Sequence, residues 1–331
     1  MKAFLSAVSV PKPSDRPAIQ VRNLLIALYA WMTLGWTVAA VLRLTIRDLG
    51  PIPLVSGFYY ASPGPLLFLL ALFLGMLCLI LGRPRRMACW GVLALVVAQS
   101  AGSHRVVTPA LPDVVTTSSQ RLLLWNVCHG RHGWQQVVTE IQKYDPDIIT
   151  LVEAGPPTEE MRQIWESGFP EHEVTLLGGE MVLLIRGGTA HDVAAGDLGI
   201  DGHYRQVEVS LGDRDLSVLF VDIHGRPDYD RAPAMNRLAE LIDQTGNQPL
   251  LIAGDFNTPR ESPLFQPIDE RTSNAYDSSG RGFQPTWPWP LPLLTLDQVW
   301  SNAGLSFDDC FAGWSSASDH RPVIADFRLL E

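Results

Sequence analysis

Two hydrophobic regimes divide the chain. Residues 23–42 are 20 consecutive uncharged positions, mostly Leu, Ala, Val, Trp and Ile, matching the ~20 residues a helix needs to cross ~30 Å of hydrocarbon. Residues 49–82 are also uncharged, but Pro51, Pro53, Pro63 and Pro65 break the first half. The pattern therefore predicts a helix over 65–81, with Phe58, Tyr59 and Tyr60 near an interface. A third uncharged run, 87–103, lies at the short end of the spanning range. None of the three carries a polar face, which argues against helices of a soluble core. The first starts too late and runs too long for a cleaved signal peptide.

After residue 120 the pattern becomes short apolar runs bounded by turns. It predicts strands over 121–127, 147–152, 181–186, 204–211, 216–223, 250–253, 295–300, 305–311 and 322–329. Helices are predicted over 134–143, with Trp134, Val137, Val138 and Ile141 on one face, and over 231–244. Many strands and few helices imply packed sheets covered by helices, an α/β layered sandwich. The expected organisation is a cytoplasmic tail (1–22), a membrane domain with three transmembrane helices (23–103; about 23–42, 65–81 and 87–103), a Pro/Ser/Thr-rich linker (104–120) and a folded domain (121–331). No internal repeat is visible.

Charge sharpens this division. Residues 1–120 hold 10 Lys and Arg against 3 Asp and Glu, whereas residues 121–331 hold 15 against 32, so a +7 segment precedes a −17 domain. Lys2, Lys12, Arg16 and Arg22 precede the first span, and Arg83, Arg85 and Arg86 separate the second and third; only Arg43 and Arg47 flank the loop between the first two. That bias places both larger clusters in the cytoplasm. With three spans, a multi-pass cell-membrane protein results whose acidic domain is extracytoplasmic; a third segment that does not span would leave it inside. Cys78 and Cys89 sit in apolar runs, so no disulfide framework is expected, and Cys128 and Cys310 read as buried free thiols rather than a bridge.

Polar residues at strand ends carry the chemistry. Asn126 follows Leu-Leu-Leu-Trp, Glu153 follows Ile-Ile-Thr-Leu-Val, and His224 follows Leu-Phe-Val-Asp-Ile. Asp255 and Asn257 follow Leu-Leu-Ile-Ala-Gly, Asp297 stands in Leu-Thr-Leu-Asp-Gln-Val-Trp, and Asp319-His320 precedes Arg-Pro-Val-Ile. Catalytic groups are characteristically carried at such positions on a rigid scaffold. Read in order, Trp-Asn-Val, Asp-Ile-Ile-Thr-Leu-Val-Glu, Ala-Gly-Asp-Phe-Asn-Thr, Leu-Asp-Gln-Val and Ala-Ser-Asp-His-Arg-Pro resemble the endonuclease/exonuclease/phosphatase superfamily across 121–331. The resemblance implies its α/β/β/α sandwich and hydrolysis of a phosphate ester. Gly-Arg-Gly-Phe-Gln-Pro-Thr-Trp-Pro at 280–288 is further similar to a membrane-anchored bacterial branch.

Phosphate esters resist hydrolysis because their anionic oxygens repel nucleophiles and the leaving alkoxide is poor; a divalent cation relieves both. Mg2+ (or Mn2+) prefers oxygen ligands, which makes Asn126 and Glu153 candidate metal ligands, and the resemblance adds Asp319. Asp255 is the candidate base for the attacking water. Asn257 would point the same way along an extended segment and donate to a phosphoryl oxygen; an Asx turn before Thr258-Pro259 is the competing reading. His320 and His224 could contact phosphoryl oxygens, and the resemblance implies that Asp297 holds His320 in its protonated form. His129 and His132 read as exposed loop histidines. The family pattern is broken at Val152, where Gln is frequent, and at Cys128, where some nucleases carry an acid.

No Walker loop, nucleophile elbow or Cys-x-x-Cys pair is present. Lys143 is the sole lysine after residue 120, which disfavours tight nucleic-acid binding. Trp287 and Trp289, set among prolines, read as a rigid loop bordering the cleft or touching lipid, or as a plain structural loop. A membrane-anchored hydrolase meets lipid-linked phosphates at high local concentration, so the lipid bilayer and a lipid-linked phosphate ester are the expected partners. An extracytoplasmic nuclease and a non-catalytic phosphate receptor are the alternatives, and no protein partner is evident.

Overall fold

The computed structural model describes residues 16–45, 63–84, 86–91, 106–107, 119–199, 202–226 and 229–330. The chain divides into two units. The first contains helices α1 (Arg16–Thr45) and α2 (Pro63–Ile80), in contact through Tyr29 and Phe73, whose rings lie 6.3 Å apart. Leu24, Leu28, Trp31, Leu34 and Val38 of α1 and Leu72, Met76 and Leu79 of α2 are exposed. No helix among the described residues is long and apolar enough to cross a membrane, so the expected spans are not found there. Most of the third expected span, 92–103, lies outside the described residues, as do residues 1–15 and most of the linker.

Two β-α-β crossovers organise the second unit. In the first, β2 (Gln120–Asn126) leads through α3 (Trp134–Gln142) to β3 (Ile148–Val152), and the strands pair in parallel. In the second, β8 (Arg214–Asp222) leads through α5 (Ala232–Thr245) to β9 (Leu250–Asp255), again in parallel. The chain also forms β1 (Val106–Val107), α4 (Glu159–Gly168), β4 (His172–Leu177), β5 (Met181–Arg186), β6 (Gly188–Asp197) and β7 (His203–Leu211). After β9 come α6 (Gln266–Asp269), β10 (Ser273–Asn274), α7 (Ala275–Ser279), β11 (Gly282–Phe283), β12 (Asp297–Ser301), β13 (Leu305–Ala312) and β14 (Val323–Leu329). One six-stranded sheet has the order β13-β14-β2-β3-β5-β4 and the other β10-β12-β9-β8-β7-β6. All pairings in them other than the two crossover pairs are antiparallel.

Strand alternation builds the layers. Leu122 and Leu124 face Val218, Phe220, Leu251 and Ala253 across the inter-sheet core. Leu123 and Trp125 point the other way, under Val137 and Val138 of α3 and Trp165 of α4. On the second sheet, Leu219, Val221 and Ile252 lie under Met235, Leu238 and Ile242 of α5. The result is the expected α/β/β/α sandwich. Strand β9 runs two residues beyond its predicted end, making Asp255 its last residue. Strands β4 and β6 and helix α4 were not predicted. Strands β4 and β6 are sheet edges with polar sequences, and α4 buries only Met161 and Trp165 behind its Thr158 cap. Cys128 and Cys310 are buried free thiols.

Candidate active site

Parallel strands present their C-terminal ends together, and ligands of α/β sheets bind there. Asn126 is opposite Val152, and Asp222 is opposite Asp255. Antiparallel β12 starts at Asp297, also opposite Asp255, and β14 starts opposite Leu124, delivering Asp319 and His320 to the same end. Register thus gathers residues from distant parts of the sequence.

Asn126 links two acids: its Nδ2 donates to Glu153 Oε1 and to Asp255 Oδ2, both at 3.0 Å, while its Oδ1 accepts from the Cys128 backbone N–H. The amide nitrogen, not the oxygen expected to hold a metal, therefore faces the carboxylates. Asp255 is buried. Burial foremost, then the Asp297 charge, pushes its carboxyl well above the ordinary range. Asn257 is not extended but left-handed, with φ 45°. Its backbone N–H donates to Asp255 Oδ1 at 2.9 Å and its Nδ2 to the Ile223 carbonyl at 2.8 Å. The Asx turn is real, and both side chains nevertheless line the cleft. Gly254 is required because an added Cβ would overlap the Val221 carbonyl of β8.

His320 is 6% exposed, with Nδ1 2.8 Å from Asp297 Oδ2 and Nε2 3.8 Å from Asp255 Oδ2. Burial lowers this imidazole, but Asp297 and Asp255 outweigh it and raise it to about 10. A raised Asp255 and a raised His320 describe one shared proton; the short Asp297 contact favours its residence on the ring. Burial would raise Asp319, but the His320 charge and hydrogen bonds from the Cys128 thiol and Trp287 indole hold its carboxyl below the usual range. Asp255, Asp297 and His320 offer ligand atoms within 4.8 Å of one another and could hold a metal ion. Arg321 plays a structural part: its buried guanidinium donates to the carbonyls of Gly313, Phe283, Pro285 and Ala312 and lies 3.9 Å from the Trp314 ring centroid.

A cleft of about 630 Å³ opens over these groups. His224 lines it, its Nδ1 accepting from the Arg226 N–H at 3.0 Å, which leaves Nε2 as the donor. Trp287, Leu294 and Leu296 form an apolar wall, and Trp287 Nε1 donates to Asp319 Oδ2 at 3.3 Å. Sequence reading missed Asp222, Glu180 and His203; His129 is exposed, as expected, and all four line the cleft. Burial, then Asp255 and Glu153, pushes Asp222 up to about 8. Its signal was the two-residue spacing from His224, whereas nothing in the sequence sets Glu180 beside His129. His132 is exposed and does not line the cleft.

The sequence model described as Endonuclease/Exonuclease/phosphatase family matches residues 123–320. No curated protein matches the chain. Among solved structures, an endonuclease/exonuclease/phosphatase from Bacteroides vulgatus is 16% identical with a TM-score of 0.55, covering 65% of this chain and 100% of its own. The human Nocturnin catalytic domain with bound sulfate is 16% identical, TM-score 0.50, covering 65% and 95%. TDP2 of D. rerio, complexed with a single-strand DNA product, is 11% identical, TM-score 0.51, covering 64% and 99%. These likenesses show a shared fold; the family match, with the strand-end residues in place, shows that the chain belongs to the endonuclease/exonuclease/phosphatase family, whose hydrolases act on phosphoester bonds.

Proposed function

We propose that the chain is a membrane-anchored, divalent-metal-dependent phosphoesterase that hydrolyses a lipid-linked phosphate ester by in-line attack of water. One observation carries the metal-dependent part: Glu153, Asp255, Asp297 and Asp319 gather at one end of both sheets, and Oδ1 of Asp297 and of Asp319 is buried with no hydrogen-bond partner among the described residues. Such an oxygen-rich, under-neutralised set fits a hard cation, Mg2+ or Mn2+. Glu153 and Asp319 are the carboxylates that would hold it; Asn126, whose Nδ2 faces Glu153 and Asp255, would join them only with its amide turned to present Oδ1. When bound, the cation would withdraw charge from the phosphoryl and leaving oxygens. The Asp255–Asp297–His320 group is less suited to a cation, because His320 Nδ1 is committed to Asp297 and the ring holds a proton.

Asp255, raised towards neutrality, takes the proton from the attacking water. The second N–H of Asn257 and Nε2–H of His224 bind phosphoryl oxygens. His320, held as imidazolium by Asp297, places positive charge where negative charge develops. Trp287, Leu294 and Leu296 exclude bulk water from one side.

The substrate preference is supported by the cleft lining, which among the described residues includes no Lys or Arg, unlike a groove that tracks a nucleic-acid backbone. It is supported too by the apolar wall and by Leu291 and Trp314 nearby in sequence and contact, 69% and 54% exposed. The anchor is supported by the resemblance at 280–288 and by two helices that carry exposed leucines among their described residues and whose sequences show no polar face. The basic flanks at 2–22 and 83–86 favour an extracytoplasmic catalytic domain.

The full-length chain is expected to hydrolyse a bis-aryl phosphodiester or a lipid phosphate with Mg2+ or Mn2+, and to lose activity in EDTA and in Asp255→Ala with unfolding unchanged. Full activity of that variant would remove the proposed base. Faster turnover of plasmid DNA than of lipid phosphate would favour a nuclease, and binding without turnover a receptor. A C-terminal topology reporter tests the side of the membrane.

A further inference from the structure

Beyond the strand ends, three loops are joined by backbone hydrogen bonds. Val127 N–H donates to the Val152 carbonyl at 2.9 Å, His129 N–H to Glu153 at 2.9 Å, and Ala154 N–H to Glu180 at 2.8 Å. Cys128, His129, Glu153 and Glu180 have φ of 49°, 52°, 52° and 57°. Left-handed backbone is costly for a non-glycine residue, and residues held this way gather at functional sites because the surrounding structure over-determines them.

This backbone sets the His129 imidazole between two carboxylates. Its Nε2 is 3.2 Å from Glu153 Oε2 and its Nδ1 is 2.9 Å from Glu180 Oε2. The other Glu153 oxygen accepts from Asn126. Each ring nitrogen thus lies within ion-pair distance of a carboxylate, so that the 58%-exposed side chain is flanked from both ends. Glu180 sits at the tip of the β4–β5 hairpin, whose Gly179 carbonyl accepts from His203 Nε2 at 3.0 Å; a Cβ on Gly179 would collide with that imidazole. The hairpin therefore braces Glu180, Glu180 braces His129, and His129 braces Glu153.

The geometry points to a carboxylate–imidazole–carboxylate strut in which Glu180 and His129 are positioning residues that hold Glu153 for the cation, an inference that rests on the metal-dependent reading above. Outer-sphere partners that orient a metal-binding carboxylate are worth about 10–100-fold in metal affinity. The strut reaches the metal only through Glu153, so it acts on cation binding rather than on substrate binding.

The test is Mn2+ binding to the full-length protein, read by electron paramagnetic resonance of the free ion, for wild type, His129→Ala, Glu180→Gln and the double variant. Thermal unfolding without metal and the KM for a bis-aryl phosphodiester at saturating Mn2+ complete each set. His129→Ala is expected to weaken Mn2+ binding about 10–100-fold, Glu180→Gln to weaken it less, and KM to stay within about threefold. The double variant should bind like His129→Ala, because Glu180 acts through the ring. Should His129→Ala unfold, Glu180→Gln, with its half-exposed side chain, still decides. Mn2+ affinities within about twofold of wild type, additive losses, or a changed KM with unchanged Mn2+ affinity would overturn the strut. If wild type binds Mn2+ and turns over substrate while the variants match it, the strut alone fails; if wild type binds no Mn2+, the metal-dependent reading fails and the strut with it.

Discussion

Replacing Asp297 with Asn keeps the shape of the site and removes the charge that holds His320. In the metal-free protein the imidazole is raised from 6.5 to about 10 against the opposing effect of its own burial. At ~1.4 kcal/mol per tenfold change, the protonated ring is favoured by up to ~5 kcal/mol, with screening small because it is almost fully buried. Asp297 makes the largest favourable contribution and Asp255, 3.8 Å from Nε2, the next. Asp297→Asn should therefore bring His320 down into or below the neutral range while Asp255 retains part of the effect. A histidine raised on folding stabilises fully below its unfolded value of 6.5 and loses that contribution as pH climbs through about 10. The variant should accordingly be less stable than wild type near pH 6, and the gap should close towards pH 10. Side-chain nuclear magnetic resonance titration of His320 reads the protonation directly, and kcat/KM at pH 7 should fall ~10²–10⁴-fold. A variant whose His320 still titrates near 10, or whose kcat/KM stays within about threefold, would refute the reasoning.

Other outcomes follow from the same contacts. Because burial raises Asp255 above 3.8 and His320 deprotonates near 10, the kcat/KM profile should rise on an acid limb well above pH 3.8 and fall again near pH 10. An acid limb near 4 would contradict the role of Asp255. Gly254→Ala forces a Cβ against the Val221 carbonyl and should cost ~1–3 kcal/mol or more in denaturant unfolding, whereas an unchanged midpoint would show that the β8–β9 contact is not tight. Arg321→Met leaves the Gly313, Phe283, Pro285 and Ala312 carbonyls without their donor and should cost ~1–3 kcal/mol, the penalty of unsatisfied buried acceptors; a wild-type Tm would exclude this structural role.

Much of the catalytic unit was legible because its central strands are buried on both faces and read as unbroken apolar runs. Met181–Arg186 was predicted to the residue. The polar residues ending those runs, Asn126, Asp255 and His320, were found because nothing in a hydrophobic strand calls for them. The edge strand Gly188–Asp197 was hidden because one side of it needs no apolar cover. His129 and Glu180 were hidden for another reason: their meeting depends on left-handed backbone at both residues and on a hairpin that returns after 26 residues containing α4 and β4. Asn257 shows the limit of periodicity, since the Asx turn rather than strand alternation brings it beside Asp255. Among the described residues α1 and α2 keep their apolar surfaces exposed, a feature their composition already contained.

Anomalous diffraction from crystals of the full-length protein grown with Mn2+ tests the central claim most directly. A peak bonded to a Glu153 carboxylate oxygen, within the cleft bounded by Asp255 and His320, is the predicted result. An empty cleft at saturating Mn2+, or an ion bound only elsewhere on the surface, would contradict it.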